Sequence, residues 1–292
     1  MDWKLSLAGL LIGLLVGMTG MGGGSLMTPL LVLLFGFKPS VAIGTDIVHG
    51  AIFKSFGAVQ HRRLGHVHAR LTGWMLLGSA PFSIIGVALA WWLKKEYGDG
   101  YEDTAKQILG VALVICGLGF LLKAFLHSAP EDKPLLLNNR QRLLAFCTGV
   151  VGGFVVGLTS VGSGTLFGLV ILVAFPLTAV KVIGTDIFHA ALLLAVAGVG
   201  HMAIGTVDFH ATGWLLIGSI PGVLLGGRFT VSLPDKALRI GLASTLTLAG
   251  VKLVDPPYAD DVVLVGAGIA AFAALVAAAR WFAGRRLAVE DA

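Results

Sequence analysis

The chain has 292 residues, of which 56% are hydrophobic and 13% charged, with a formal net charge of +5 and a mean hydropathy of +0.90. A soluble domain carries about 25% charged residues, so a water-soluble globular class is excluded and a polytopic membrane protein is expected. The positive balance then concerns loop orientation and not nucleic acid, and the two cysteines, Cys116 and Cys147, each in an apolar stretch, offer neither a disulfide framework nor a metal motif.

The first apolar segment, residues 5–35, is interrupted by GMTGMGGGS at 17–25. Glycine is the poorest helix former after proline. A signal peptide ending in small residues would explain the interruption, but the same break returns as GLTSVGSGT at 157–165, in mid-chain. It therefore belongs to the working fold. Spans are predicted next at 44–61, 71–93 and 107–126; residues 71–93 hold no charge and suffice to cross roughly 30 Å of hydrocarbon. Residues 127–142 (HSAPEDKPLLLNNRQR) read as a polar cytoplasmic linker. The second glycine-broken segment, 143–175, precedes spans at 183–201, 211–230 and 237–253, with a final one at 262–282. The chain thus divides into a first repeat (1–126), the linker, a second repeat (143–253) and an extra C-terminal span with a basic tail (254–292).

The repeat is direct. Shifted by 140 residues, GTDIVH at 44–49 falls on GTDIFH at 184–189, and LTGWMLLGSAP at 71–81 on ATGWLLIGSIP. Between 44 and 81, 17 of 38 positions are identical without a gap. Gly17, Thr19, Gly22 and Gly24 fall on Gly157, Thr159, Gly162 and Gly164.

Charge bears on how the halves are oriented. If each broken segment crosses once, the halves are parallel and Lys plus Arg, with mid-span Lys54 left out, divide 9 to 11 between the two sides. If each enters and returns as a hairpin of two half-helices, the halves are inverted and the division is 14 to 6. The positive-inside rule prefers the second. The loop HRRLGHVHAR (61–70) carries three arginines where its mate HMAIGTVDFH (201–210) has no Lys or Arg. The expected architecture is an all-α polytopic membrane protein of two inverted repeats, each a glycine-broken re-entrant hairpin plus three spans, with an additional C-terminal transmembrane helix. Its N-terminus lies outside and its C-terminus in the cytoplasm, in a multi-pass arrangement in the cell membrane.

Inverted repeats with broken helices are the architecture of secondary transporters, with substrate near the midplane. A half-helix opening near Gly24–Ser25 would aim its N–H groups and positive dipole end into a cavity, a ready anion site. Two such cradles, Gly22–Ser25 and Gly162–Thr165, would face each other. Thr19, Ser25, Thr159, Ser163 and Thr165 add hydroxyls. Close helix packing is the competing reading of the glycines.

At these residues the sequence resembles the sulfite exporter family, TauE/SafE, from about Leu5 to about Leu253. The resemblance implies transport of a small sulfur-containing anion such as sulfite or an organosulfonate, outward and coupled to protons. It assigns substrate contact to Gly22, Gly23, Gly24, Ser25, Gly162, Ser163, Gly164 and Thr165, and to Thr45 and Thr185 in the next helix. Many family members carry a neutral hydroxyl residue where Asp46 and Asp186 stand here.

In GTDxxH, Thr45 and Thr185 read as N-caps with Asp46 and Asp186 in the first turn. His49 and His189 lie three residues on, on the same helix face. Capping alone, and capping plus proton handling by Asp46, His49, Asp186 and His189, both fit. Lys54 has no mate, since Leu194 stands at its repeat position; a mid-membrane charge points to pairing with an aspartate or attraction of the anion. His61 and His201 read as ordinary interfacial histidines. The rival function is a divalent-metal transporter using the four Asp and His side chains, although the neighbouring arginines repel cations. HExxH, GxSxG and GxxxxGK[ST] patterns are absent from the sequence, so no enzyme, cofactor or resident metal is expected.

Overall fold

The computed structural model describes residues 2–19, 24–126, 136–229, 235–266 and 268. The first half contains α1 (Asp2–Thr19), α2 (Gly24–Leu33), α3 (Pro39–Arg63), α4 (Ala69–Tyr97), a single 3-10 turn (Gly98–Gly100) and α5 (Tyr101–Phe125). The second contains α6 (Asn139–Thr159), α7 (Leu166–Ala174), α8 (Ala179–Ala203), α9 (Phe209–Phe229) and α10 (Asp235–Val254). Five of them, α4, α5, α6, α8 and α9, are long and apolar enough to cross a membrane. α3 equals α8 in length at 25 residues, but Asp46, Lys54, Arg62 and Arg63 dilute its apolar character. Of the expected last span, residues 262–266 are helical and most of the remainder lies outside the described residues, as does linker segment 127–135.

The principal partner of each long helix comes from the other half: α1 lies along α9, α6 along α4, α3 against α8 and α5 against α10. Glycines set these approaches. Gly9 faces Leu215 and Gly13 faces Ser219, while in the other half Gly149 faces Met75 and Gly153 faces Ser79. The register advances in the same direction on both helices, so each of these pairs is parallel. A Cβ on Gly149 would sit 2.1 Å from the Met75 carbonyl oxygen, and one on Gly218 1.8 Å from that of Ser6. Lipid tails are as apolar as leucine, so helix association in a bilayer relies on this close backbone approach.

The helices that are repeat mates run antiparallel. Gly50 meets Leu194 while Gly57 meets Ile187, and Gly110 meets Val254 while Gly117 meets Thr247. α3 in turn runs parallel to α9, with Gly44 against Thr206 and Gly57 against Val223. Since α1 is also parallel to α9, α1 and α3 point the same way, and the chain through α2 must return between them.

Three expectations change. The hairpin arms are unequal, with 18 and 21 residues in α1 and α6 against 10 and 9 in α2 and α7. α6 begins inside the expected linker, where Asn138 and Gln141 form a reciprocal capping box with bonds of 2.8 and 3.1 Å. Thr45 and Thr185 are not N-caps. α3 starts at Pro39, whose fixed φ suits a first helical position, and α8 starts at Ala179, so both GTD motifs lie a full turn or more inside their helices.

Replacing Gly218 by valine is expected to separate α1 from α9 and lower the melting temperature in detergent, at an overpacking cost of about 1–3 kcal/mol. Gly213→Ala, on the same helix with nothing within 4 Å of where the added methyl would stand, should be neutral or slightly stabilising. Equal losses in the two variants would refute the close-approach account.

Candidate functional site

The second break is built from residues that leave helical geometry one after another. Ser160 closes α6 in the left-handed region (φ 64°) with its N–H on Val156 O at 2.7 Å. Gly162 and Gly164 follow at φ 106° and 129°. A Cβ on Gly162 would meet only ordinary contacts, at 3.6 Å or more, so glycine is required there for its conformation and not for space. The turn satisfies part of its own backbone: Gly164 N–H and Leu166 N–H both donate to Gly162 O, at 2.8 and 3.2 Å. The Thr159 hydroxyl is occupied locally, donating to Val155 O and accepting from Val161 N–H.

The two breaks meet. Ser25 at the opening of α2 and Thr165 just before α7, repeat mates 140 residues apart, are buried with their hydroxyls 3.5 Å from each other. Thr19 ends α1 and Gly24 opens α2; Gly22 and Gly23 lie outside the described residues.

Asp46 joins both hairpins. Its Oδ2 accepts the Thr28 hydroxyl of α2 at 2.6 Å and the Ser160 hydroxyl of the second break at 2.7 Å. Its Oδ1 has no hydrogen-bond partner among the described residues and stands 3.9 Å from His49 Nδ1, which also has none. The other nitrogen, His49 Nε2, shares a 2.8 Å bond with Ser219 Oγ of α9, and His189 Nε2 repeats this with Ser79 Oγ of α4 at 2.9 Å. All of these groups are buried, Asp186 included. Lys54 is buried as well and donates to both Ser163 O (3.2 Å) and Ser163 Oγ (3.1 Å). Its ammonium lies in the field of both Asp46 and Asp186.

Thr45 and Thr185 face elsewhere. The Thr45 hydroxyl accepts Asp208 N–H at 2.9 Å and that of Thr185 accepts His68 N–H at 3.0 Å. Each ties the loop between two long helices of one half to the GTD turn of the other. His61 and His201 lie in the last turns of α3 and α8 and are buried. His201 is fixed on both nitrogens, by Thr206 Oγ1 and by Gly157 O, each at 2.9 Å.

The arrangement gathers two carboxylates, two imidazoles and one ammonium in a buried polar centre beside the second break. It does not assemble the rival metal site. Among the described residues no three His, Cys, Asp or Glu side chains converge, and both histidine Nε2 atoms are held by serines. Thr28, Ser160, Ser79 and Ser219 were not singled out from the sequence. The two helical serines recur in the paired GSxP stretches, a usable signal; Thr28 and Ser160 fall opposite Gly168 and Gly20 in the repeat and leave none.

The family profile described as "Sulfite exporter TauE/SafE" matches residues 5–253. The chain is 37% identical over 256 residues to the probable membrane transporter protein YjnA of Bacillus subtilis, covering 87% of this chain and all of that protein. It is 25% identical over 245 residues to the probable membrane transporter protein YdhB of the same organism, covering 84% and 96% of the two chains. A probable membrane transporter protein of Xylella fastidiosa is 24% identical over 230 residues, with 77% and 85% covered. No solved structure matches the chain significantly.

If the Thr28 hydroxyl supports the buried carboxylate, Thr28→Val should destabilise the protein by about 1–3 kcal/mol. Most of that loss should vanish in an Asp46→Ala background, which removes the acceptor. A double-mutant cycle read by thermal unfolding measures the coupling, and strictly additive effects would contradict the bond's assigned role.

Proposed function

Because the chain belongs to the sulfite exporter TauE/SafE family of membrane transporters, we propose that it carries a small sulfur-containing anion, sulfite or an organosulfonate, bound between the two glycine-rich breaks. The observation that carries this reading is Lys54, a buried ammonium seated on Ser163 of the second break, two residues before Thr165, whose hydroxyl lies 3.5 Å from that of Ser25. The hydroxyls of Ser25, Ser163 and Thr165 are donors suited to an oxyanion.

The halves are proposed to be inverted across the membrane. The antiparallel packing of α3 on α8 and of α5 on α10 supports a two-fold axis lying across the helices, and the 14 to 6 division of Lys and Arg supports it from charge. The α1–α2 and α6–α7 units are then re-entrant hairpins, with the N-terminus outside and the arginine loop at 61–70 in the cytoplasm.

Charge balance links the anion to a proton. From α3 the centre holds Asp46, His49 and Lys54, and from α8 Asp186 and His189; the neighbouring helices α4 and α9 bring the neutral Ser79 and Ser219. One ammonium faces two carboxylates, so an arriving anion would leave a further unbalanced negative charge in a medium that penalises it. Uptake of a proton at Asp46 or His49, whose facing atoms Oδ1 and Nδ1 lack partners among the described residues, relieves that imbalance. Anion and proton then travel together, and such a carrier runs in the direction the summed gradients dictate; the family's name points outward.

In thermal-shift measurements on the purified protein, sulfite at 100 times its dissociation constant should add about 2.7 kcal/mol. Lys54→Met, Gly23→Leu and Ser163→Leu should each remove that stabilisation. With one proton taken up per anion, the apparent dissociation constant should fall by up to about tenfold for each unit of pH decrease. Stabilisation by Ni²⁺, Zn²⁺ or Co²⁺ alone, lost in Asp46→Asn, would overturn the anion reading.

A further inference from the structure

A cavity of about 670 Å³ lies away from the polar centre, between α3 and α9. α3 lines it with Ser55, Phe56, Val59, Gln60 and Arg63, its C-cap Leu64 extends it, and α9 closes it with Leu224. The α3 positions share one helical face. They alternate with Phe53, Lys54, Gly57, Ala58 and His61, which are buried against the bundle. From Ser55 to Arg63 the face runs about 12 Å along the helix, ending at its last residue.

The polar groups of this groove are sorted along the helix. At the end farther from the helix terminus Ser55 donates its hydroxyl to Ala51 O at 2.6 Å, which leaves the floor effectively apolar: Phe56 and Val59 are 45% and 52% exposed and Leu224 38%. At the mouth stand Gln60 and Arg63. Among the described residues Arg63 has no carboxylate partner, whereas Arg62 beside it packs over the Phe188 ring with 5.3 Å to the centroid. A slot with an apolar floor, an unneutralised guanidinium and an amide at a helix end matches a phospholipid, with acyl chain inside and phosphate at the mouth.

The repeat provides a control. Phe56, Val59, Leu64 and Leu224 fall on Val196, Val199, Ile204 and Ile84, so both halves keep an apolar surface at this place. Ser55, Gln60 and Arg63 fall on Ala195, Gly200 and Ala203. Contact with lipid tails alone would not call for a guanidinium, and only one half has one. On the inverted orientation proposed above, on which this placement rests, it sits on the Lys- and Arg-rich side, where the cytoplasmic leaflet presents anionic headgroups.

We propose that this groove binds one anionic phospholipid, its chain against Phe56, Val59 and Leu224 and its phosphate on Arg63 with Gln60 as second donor. The assignment is independent of which anion the protein carries. It is tested with the full chain in mild detergent by native mass spectrometry and thermal unfolding, using phosphatidylglycerol, phosphatidylcholine with the same acyl chains, and sn-glycerol 3-phosphate. Wild type should retain one phosphatidylglycerol and gain melting temperature with it. Arg63→Gln should weaken retention by about tenfold or more, as loss of a charge-assisted bond implies, and Leu224→Trp should displace the lipid by filling the slot. Arg62→Gln should bind as wild type. The proposal is overturned if Arg63→Gln retains phosphatidylglycerol normally, or if phosphatidylcholine binds equally well. It is also overturned if glycerol 3-phosphate alone protects the protein and competes with the lipid, which would make this a site for a free anion.

Discussion

The carboxylate of Asp46, with hydroxyls from two different hairpins on a single oxygen, is the contact around which the centre of the molecule is organised. Thr28 approaches from α2 and Ser160 from the turn that ends α6. An ionisable group inside a membrane bundle persists only when it is hydrogen-bonded or faces a polar cavity. Non-helical backbone at that depth persists only when protein or water satisfies it. Helix α2 and the second break give the carboxylate its donors, and the carboxylate ties the two together.

Symmetry supplies the scaffold and departures from it supply the chemistry. Paired features hold the structure together: Gly9 with Gly149 and Gly13 with Gly153 at helix crossings, Thr45 with Thr185 at loop tethers, and His49 with His189 on their serines. Unpaired ones distinguish the halves. Lys54 stands where its mate is Leu194, Thr28 where its mate is Gly168, and Arg63 where its mate is Ala203. Among the described residues a duplicated fold therefore carries a single buried ammonium at its centre and one basic end to its flanking groove. The proposed anion and lipid sites both fall on these departures.

The loop tethers also constrain motion. Asp208 N–H on Thr45 and His68 N–H on Thr185 tie the ends of each half to the residue preceding an aspartate in the other. Any rearrangement that opens one end of the centre has to break or carry along one of these bonds, and the neighbouring close contacts of Gly44 on Thr206 O and Gly184 on His66 O leave little room to slide. Rigid movement of one helix group against the other is the motion such packing permits.

Hydropathy, the 140-residue repeat and the recurrent glycine breaks determined by themselves that this is a duplicated helical membrane protein, because apolar length and glycine's backbone freedom act locally along the chain. They also marked Asp46, His49, Lys54, Ser25 and Thr165 as central. Three things were decided only by the tertiary structure: that α3 and α8 begin well before GTD, so its threonines tether loops and cap nothing; that the hairpin arms are unequal; and that Thr28, Ser160, Ser79 and Ser219 complete the polar centre. Local signals reached part of this, Pro39 at a helix start and the serines of the paired GSxP stretches, but not which side chains they meet. The bonds from Asp46 to Ser160, from His49 to Ser219 and from Lys54 to Ser163 each join residues more than 100 positions apart, and the packing of one half into the other, not any pattern along a helix, brings them together.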